Sequence, residues 1–129
     1  MTLETMTPNP SWEPDGYEDA VETFAALADE ITVHVWGGDW CGDCRRTLPD
    51  FAAVLEAAGV PGGAIETYPV EKLDDGSKVG PEVEAYGVEY IPTIVIEREG
   101  VEIARFVEEE SEPPAVYLAE QLRERVTKQ

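Results

Sequence analysis

Cysteine, histidine and lysine are scarce in this 129-residue chain, with two, one and three residues respectively. A structural zinc site takes four ligands, usually two C-x-x-C pairs or one pair with two histidines. Cys41, Cys44 and His34 cannot supply that set within one chain, so a zinc site would need a second subunit. A disulfide framework is equally excluded, and a domain of this length can build its core without one. Basic residues number 9 against 28 acidic ones, a formal charge of −19. Such a surface repels nucleic acid and anionic membranes, and neither is expected as a partner. No apolar run approaches the ~20 residues of a membrane-spanning helix. Met1-Thr2-Leu3-Glu4-Thr5 lacks the basic and apolar regions of a signal peptide, so a cytoplasmic protein is expected. There is no flavin or nicotinamide fingerprint, no internal repeat and no low-complexity segment.

What remains is a globular composition, with 43% apolar residues and three tryptophans. The acidity is spread along the chain and is densest at Glu108-Glu109-Glu110 and Glu112. Folding concentrates that repulsion, and molar salt, with a screening length of ~3 Å, removes most of its cost. A high-salt cytoplasm is the reading this charge density favours; an acidic docking face on an ordinary mesophilic protein is the alternative.

Residues 1–14 carry Pro8, Pro10 and Pro14 and read as an extended or flexible lead-in anchored by Trp12; residues 15–129 read as a single domain. Asp15-Gly16-Tyr17-Glu18 fits a capping box, and Tyr17, Val21, Phe24, Ala25 and Ala28 line one face of the helix that follows. Ile31 to Trp36 is a strand apolar at most positions, as expected where both faces are covered. Leu48, Phe51, Leu55 and Ala58 set the face of a second helix, in which Pro49 removes a backbone bond. Residues 64–71 read as a strand that Pro69 demotes to an edge. Leu73 to Gly76 is a turn, and Pro81 to Tyr86 is a short helix closed by Gly87. Thr93 to Ile96 and Val101 to Val107 form a hairpin around Arg98-Glu99-Gly100. Pro113 and Pro114 open a last helix bearing Ala115, Leu118, Ala119, Leu122 and Val126. The order is α-β-α-β-α-β-β-α.

The two cysteines sit together in Trp40-Cys41-Gly42-Asp43-Cys44, where the first strand hands over to the second helix. A C-x-x-C pair in that context reads as a redox arrangement, because a helix N-terminus favours a thiolate. Buried filler is the alternative, which the flanking Gly42, Asp43, Arg45 and Arg46 disfavour. His34 reads as a packed strand residue rather than a ligand or base.

This order of elements, with its C-x-x-C after the first strand, resembles the thioredoxin superfamily. Trp40-Cys41-Gly42-x-Cys44 resembles the family's active-site turn, and Pro49, eight residues after Cys41, matches its helix proline. Tyr90-Ile91-Pro92-Thr93 resembles the segment ending in Ile-Pro-Thr, whose cis proline packs against the active-site sulfurs. The resemblance implies an α/β thioredoxin-like fold: a central four-stranded mixed sheet flanked by helices on both faces, lacking the family's extra N-terminal strand. Asp43 replaces the usual proline between the cysteines, and Val35 stands where the family has a buried acid that relays a proton to the second cysteine.

The implied activity is that of a thiol–disulfide oxidoreductase acting on disulfide-containing proteins. Cys41, at the exposed start of the helix, would attack and Cys44 resolve, while Trp40, Gly42, Asp43, Ile91 and Pro92 shape the site. Asp43 opposes a Cys41 thiolate, whereas the helix dipole and Arg45 or Arg46 favour it. No cofactor is expected beyond the Cys41–Cys44 disulfide/dithiol, and a separate reductase or low-molecular-weight thiol must regenerate it. A monomer is expected. A glutaredoxin-like or isomerase-like exchanger and a redox-responsive binding module are the competing readings.

Overall fold

The computed structural model describes residues 6–13, 15–38, 41–72, 78–80, 82–107 and 113–127. Its elements are α1 (Glu18–Leu27), β1 (Ile31–Gly37), α2 (Gly42–Ala57), β2 (Ile65–Pro69), β3 (Glu71–Lys72), β4 (Lys78–Val79), α3 (Val83–Tyr86), β5 (Thr93–Arg98), β6 (Val101–Val107) and α4 (Pro114–Thr127). A single 3₁₀ turn, Gly62–Ala64, leads into β2.

Four strands form a mixed sheet in the order β2-β1-β5-β6. β1 runs parallel to β2 and antiparallel to β5, and β5 and β6 are antiparallel. A parallel pair cannot be closed by a hairpin, so α2 makes the crossover from β1 to β2. That crossover carries the C-x-x-C pair to the C-terminal end of β1. Side chains alternate along β1, which sends Val33 and Val35 to one face and His34 and Trp36 to the other; all four are buried. α1, α2 and α4 pack on one another. They meet through Phe24, stacked edge-on against Phe51, and through the buried faces of α2 and α4. Leu48, Phe51, Leu55 and Ala58 are buried as their spacing predicts, as are Ala115, Leu118, Ala119 and Leu122. α3 covers the opposite face through Tyr86, whose ring lies 4.8 Å from that of Trp36.

Several local expectations change. The capping box at Asp15 does not form: Tyr17 is the N-cap, with no side-chain cap bond, and Glu18 reaches back to accept from the Gly16 N–H at 3.0 Å. The buried stripe of α1 is Ala20, Phe24 and Leu27, with Ala28 beyond it, whereas Ala25 is exposed. The strand expected over 64–71 breaks at Val70, whose N–H donates to the Gly37 carbonyl at 2.8 Å. Beyond the break, β3 pairs with β4 as a separate two-stranded hairpin. The turn expected at 73–76 and the side chain of Val126 lie outside the described residues. α3 starts at Val83 rather than Pro81, because Glu82 holds a left-handed φ of 61°. The lead-in is tied by more than Trp12: the Asn9 N–H donates to the Pro49 carbonyl, and its amide donates to Asp50 at 2.9 Å. Among the described residues no strand precedes α1, and no helix is long and apolar enough to cross a membrane.

Candidate active site

Cys41 is the N-cap of α2, with extended backbone angles of φ −85° and ψ 122°. That geometry aims its side chain back at the first turn, where Sγ accepts from the Cys44 N–H at 3.3 Å. An N-cap normally uses an oxygen for this purpose; here sulfur meets an otherwise orphaned donor. The Cys41 backbone is fixed as well, its N–H donating to Gly38 and its carbonyl accepting from Arg45, each at 3.0 Å. Neither cysteine is in a disulfide.

Cys41 is less open than a helix start suggests, at 8% exposure, while Cys44, one turn inside, is fully buried at 0%. Burial, and next the hydrogen bond with Cys41, push the Cys44 thiol well above its ordinary range, although a backbone hydrogen bond from Gly38 pulls the other way. Cys44 is therefore held protonated. The two sulfurs differ in access, and the inner one is the harder to ionise for its burial.

The opposite wall is the chain before β5. The Ile91–Pro92 peptide is cis. The Ile91 carbonyl lies 4.0 Å from Cys41 Sγ, the sulfur donating. Ile91 is buried, whereas Tyr90 is 43% exposed at the rim. The Thr93 hydroxyl donates to the Tyr90 carbonyl at 2.6 Å and pins the wall where it enters β5.

Asp43 lies on the first turn of α2, where Arg46 takes its carboxylate in an ion pair open to solvent on both sides. The charge expected to oppose a Cys41 thiolate is thus met by its neighbour. Gly42 has open space where a side chain would be, so no contact there requires glycine. Trp40 lies outside the described residues. Val35, in the position of the family's buried acid, is fully buried.

His34 faces away from Val35, and its surroundings were not legible in the sequence. Nε2 lies 2.7 Å from Glu97 Oε1 and Nδ1 2.9 Å from the Tyr68 hydroxyl. A carboxylate only accepts, so Nε2 carries a proton; in the neutral ring Nδ1 accepts from Tyr68. The Tyr86 hydroxyl donates to the second Glu97 oxygen at 3.0 Å. The signal that could have exposed this cluster is a buried histidine beside an aromatic two residues on, which demands polar partners from neighbouring strands. Among the described residues no group of three or more metal-ligating side chains is assembled.

The thioredoxin family model matches residues 13–119. A thioredoxin from Chlamydia muridarum is 29% identical over 93 residues, covering 72% of this chain and 78% of that protein. Mitochondrial thioredoxin 3 from Saccharomyces cerevisiae has a similar fold, with a TM-score of 0.51 at 17% identity over 81% of this chain and 89% of that one. Fasciola hepatica thioredoxin overlays 83% of this chain and 88% of its own, at 20% identity and a TM-score of 0.49. With the dithiol turn, the opposing proline and the sheet order in place, the match over residues 13–119 gives the conclusion that this chain belongs to the thioredoxin family.

Proposed function

We propose that the protein reduces disulfides in other proteins through a mixed disulfide on Cys41. The observation that carries this reading is the asymmetry of the pair: Cys41 caps α2 and receives the Cys44 N–H, while Cys44 is sealed from solvent and held as a thiol. Cys41 attacks as thiolate, one sulfur–sulfur bond forms to the substrate, and the first substrate sulfur leaves as thiolate. Cys44 then loses its proton and attacks Cys41 Sγ, which releases the second substrate sulfur and leaves a Cys41–Cys44 disulfide. Two electrons have passed to the substrate. A separate reductase or a low-molecular-weight thiol returns them, in a reducing compartment such as the cytosol.

The wild type should accelerate reduction of insulin disulfides by dithiothreitol. Cys44→Ser should accumulate insulin as a mixed disulfide on Cys41, and Cys41→Ser should trap little. Equal trapping by the two variants would reverse or erase the assigned roles. Reversible oxidation of the wild type without turnover would favour a redox-responsive binding module.

A further inference from the structure

Glu97 joins three segments that meet at the active site. It lies on β5, the strand that begins at Thr93 immediately after the Tyr90–Pro92 wall. Its Oε2 accepts from Tyr86, the last residue of α3, from which the chain runs directly to that wall. Its Oε1 accepts from His34 on β1, the strand that delivers Cys41. One carboxylate, four residues into β5 and opposite Thr32, therefore ties the helix that leads into residues 87–92 to the strand that follows them and to the strand carrying the sulfur.

α3 needs such a tie. It has four residues, too few to hold a helix by its own hydrogen bonds. Left-handed residues bound it on both sides, Glu82 at φ 61° and Gly87 at φ 65°. Its seat is the Tyr86 ring against Trp36 and His34, at 4.8 and 5.3 Å, together with the hydroxyl on Glu97. Burial, and next the bond to Glu97, push that hydroxyl up to about 12, so it stays a donor at neutral pH. The carboxylates whose charge reaches the two tyrosines are Glu97 and Glu82, with Glu66 acting on Tyr68.

We propose that the Glu97 carboxylate, bridging His34 and Tyr86, is a clamp that sets the Tyr90–Pro92 wall against Cys41. His34, Tyr86 and Glu97 are then positioning residues for disulfide exchange, an inference that rests on the proposed reductase activity. None of the three touches the sulfurs. Their effect is on how well a protein substrate is received beside Cys41, and the intrinsic reactivity of the thiol is left alone.

Tyr86→Phe keeps the ring and removes the donor. With dithiothreitol as electron source, its KM for insulin should rise on the order of fivefold while kcat stays within about twofold. Carbamidomethylation of Cys41 by iodoacetamide should also stay within about twofold. Glu97→Ala should match or exceed that rise, and Glu97→Gln, whose amide oxygen still accepts, should recover part of it. Hydrogen exchange at the amides of Val88 and Ile91 reads the clamp without any substrate and should quicken by about fivefold in Tyr86→Phe. Unchanged exchange overturns the clamp whatever the activity. Unchanged KM in Tyr86→Phe and Glu97→Ala also overturns it, as does a fall of KM-independent rate and alkylation in step with the melting temperature. Faster exchange in a protein whose wild type does not reduce insulin keeps the clamp and removes the reductase reading.

Discussion

The Cys44 thiol couples the site to stability at alkaline pH. Its native proton affinity is raised by burial and by the Cys41 contact. An unfolded cysteine titrates near ~8.5. Above that value the native state keeps a proton that the unfolded state has lost, so stability falls as pH rises. The limiting slope for one proton is ~1.4 kcal/mol per pH unit. Urea unfolding of the dithiol protein between pH 8 and 10 should show a decline that Cys44→Ser flattens; parallel slopes would rule the linkage out. At this scale, the C-x-x-C spacing pointed to the start of α2, where Cys41 and Cys44 stand, and the cis bond before Pro92 was legible only through the resemblance of Ile91-Pro92-Thr93 to a family segment. Sequence reasoning missed Asn9, whose backbone and amide both bond to α2, since a polar loop residue leaves no periodic trace. The partners of His34 were hidden for another reason: Tyr68 and Glu97 are 34 and 63 residues away and become neighbours only once the strands are ordered.

Between β5 and β6 the chain turns through Glu99 and Gly100, at φ 53° and 80°. Two positive φ values match the type I′ geometry that follows the twist of a hairpin. Glycine takes that conformation without strain, whereas glutamate does not. Glu99→Asn should therefore stabilise the protein by about 0.5–1 kcal/mol in urea unfolding, and Gly100→Ala should destabilise it by about 1 kcal/mol. No gain from the asparagine would mean the turn relaxes in solution. Strands rich in β-branched residues and helices with a wide apolar stripe were readable, because burial on one side leaves a period in the chain. The start of α1 was not. Asp15 has the right chemistry for a cap, but the chain enters the helix two residues later, and Glu18 bonds to Gly16 instead. The break at Val70 goes with a close approach no local pattern encodes: a Cβ on Gly80, just after β4, would lie 2.8 Å from the Pro69 carbonyl oxygen at the end of β2. Gly80→Ala should push the two apart and lower the melting temperature, and an unchanged melting temperature would show that the approach is loose.

Over the molecule as a whole, net charge dominates. The formal charge is −19 on 129 residues. Ion pairs among the described residues include Arg46 with Asp43, Arg98 with Glu30, and Arg105 with Glu102. They cannot offset a threefold excess of acid, and the surplus is spread over a surface that folding brings together. Screening at ~3 Å in molar salt should relieve more repulsion than it removes attraction, because exposed pairs contribute little. The melting temperature should rise from dilute buffer to molar potassium chloride, as followed by calorimetry. A constant or falling value would reject adaptation to high salt. Charge was the most legible property of the chain, since it needs no knowledge of the fold.

Val35, fully buried in the middle of β1, offers no acid or base at the position of the family's proton relay, so the second half of the proposed exchange lacks that group. Once Cys41 is tied up in a mixed disulfide, Cys44 must still give up its proton from a closed site. The nearest acceptor generated by the reaction is the substrate thiolate freed in the first half, so the first product becomes the reagent of the second. A substrate that keeps that sulfur close is released promptly. One that lets it swing away stays attached until a buffer base arrives, and the lifetime of the captured partner should shorten as imidazole is added at fixed pH.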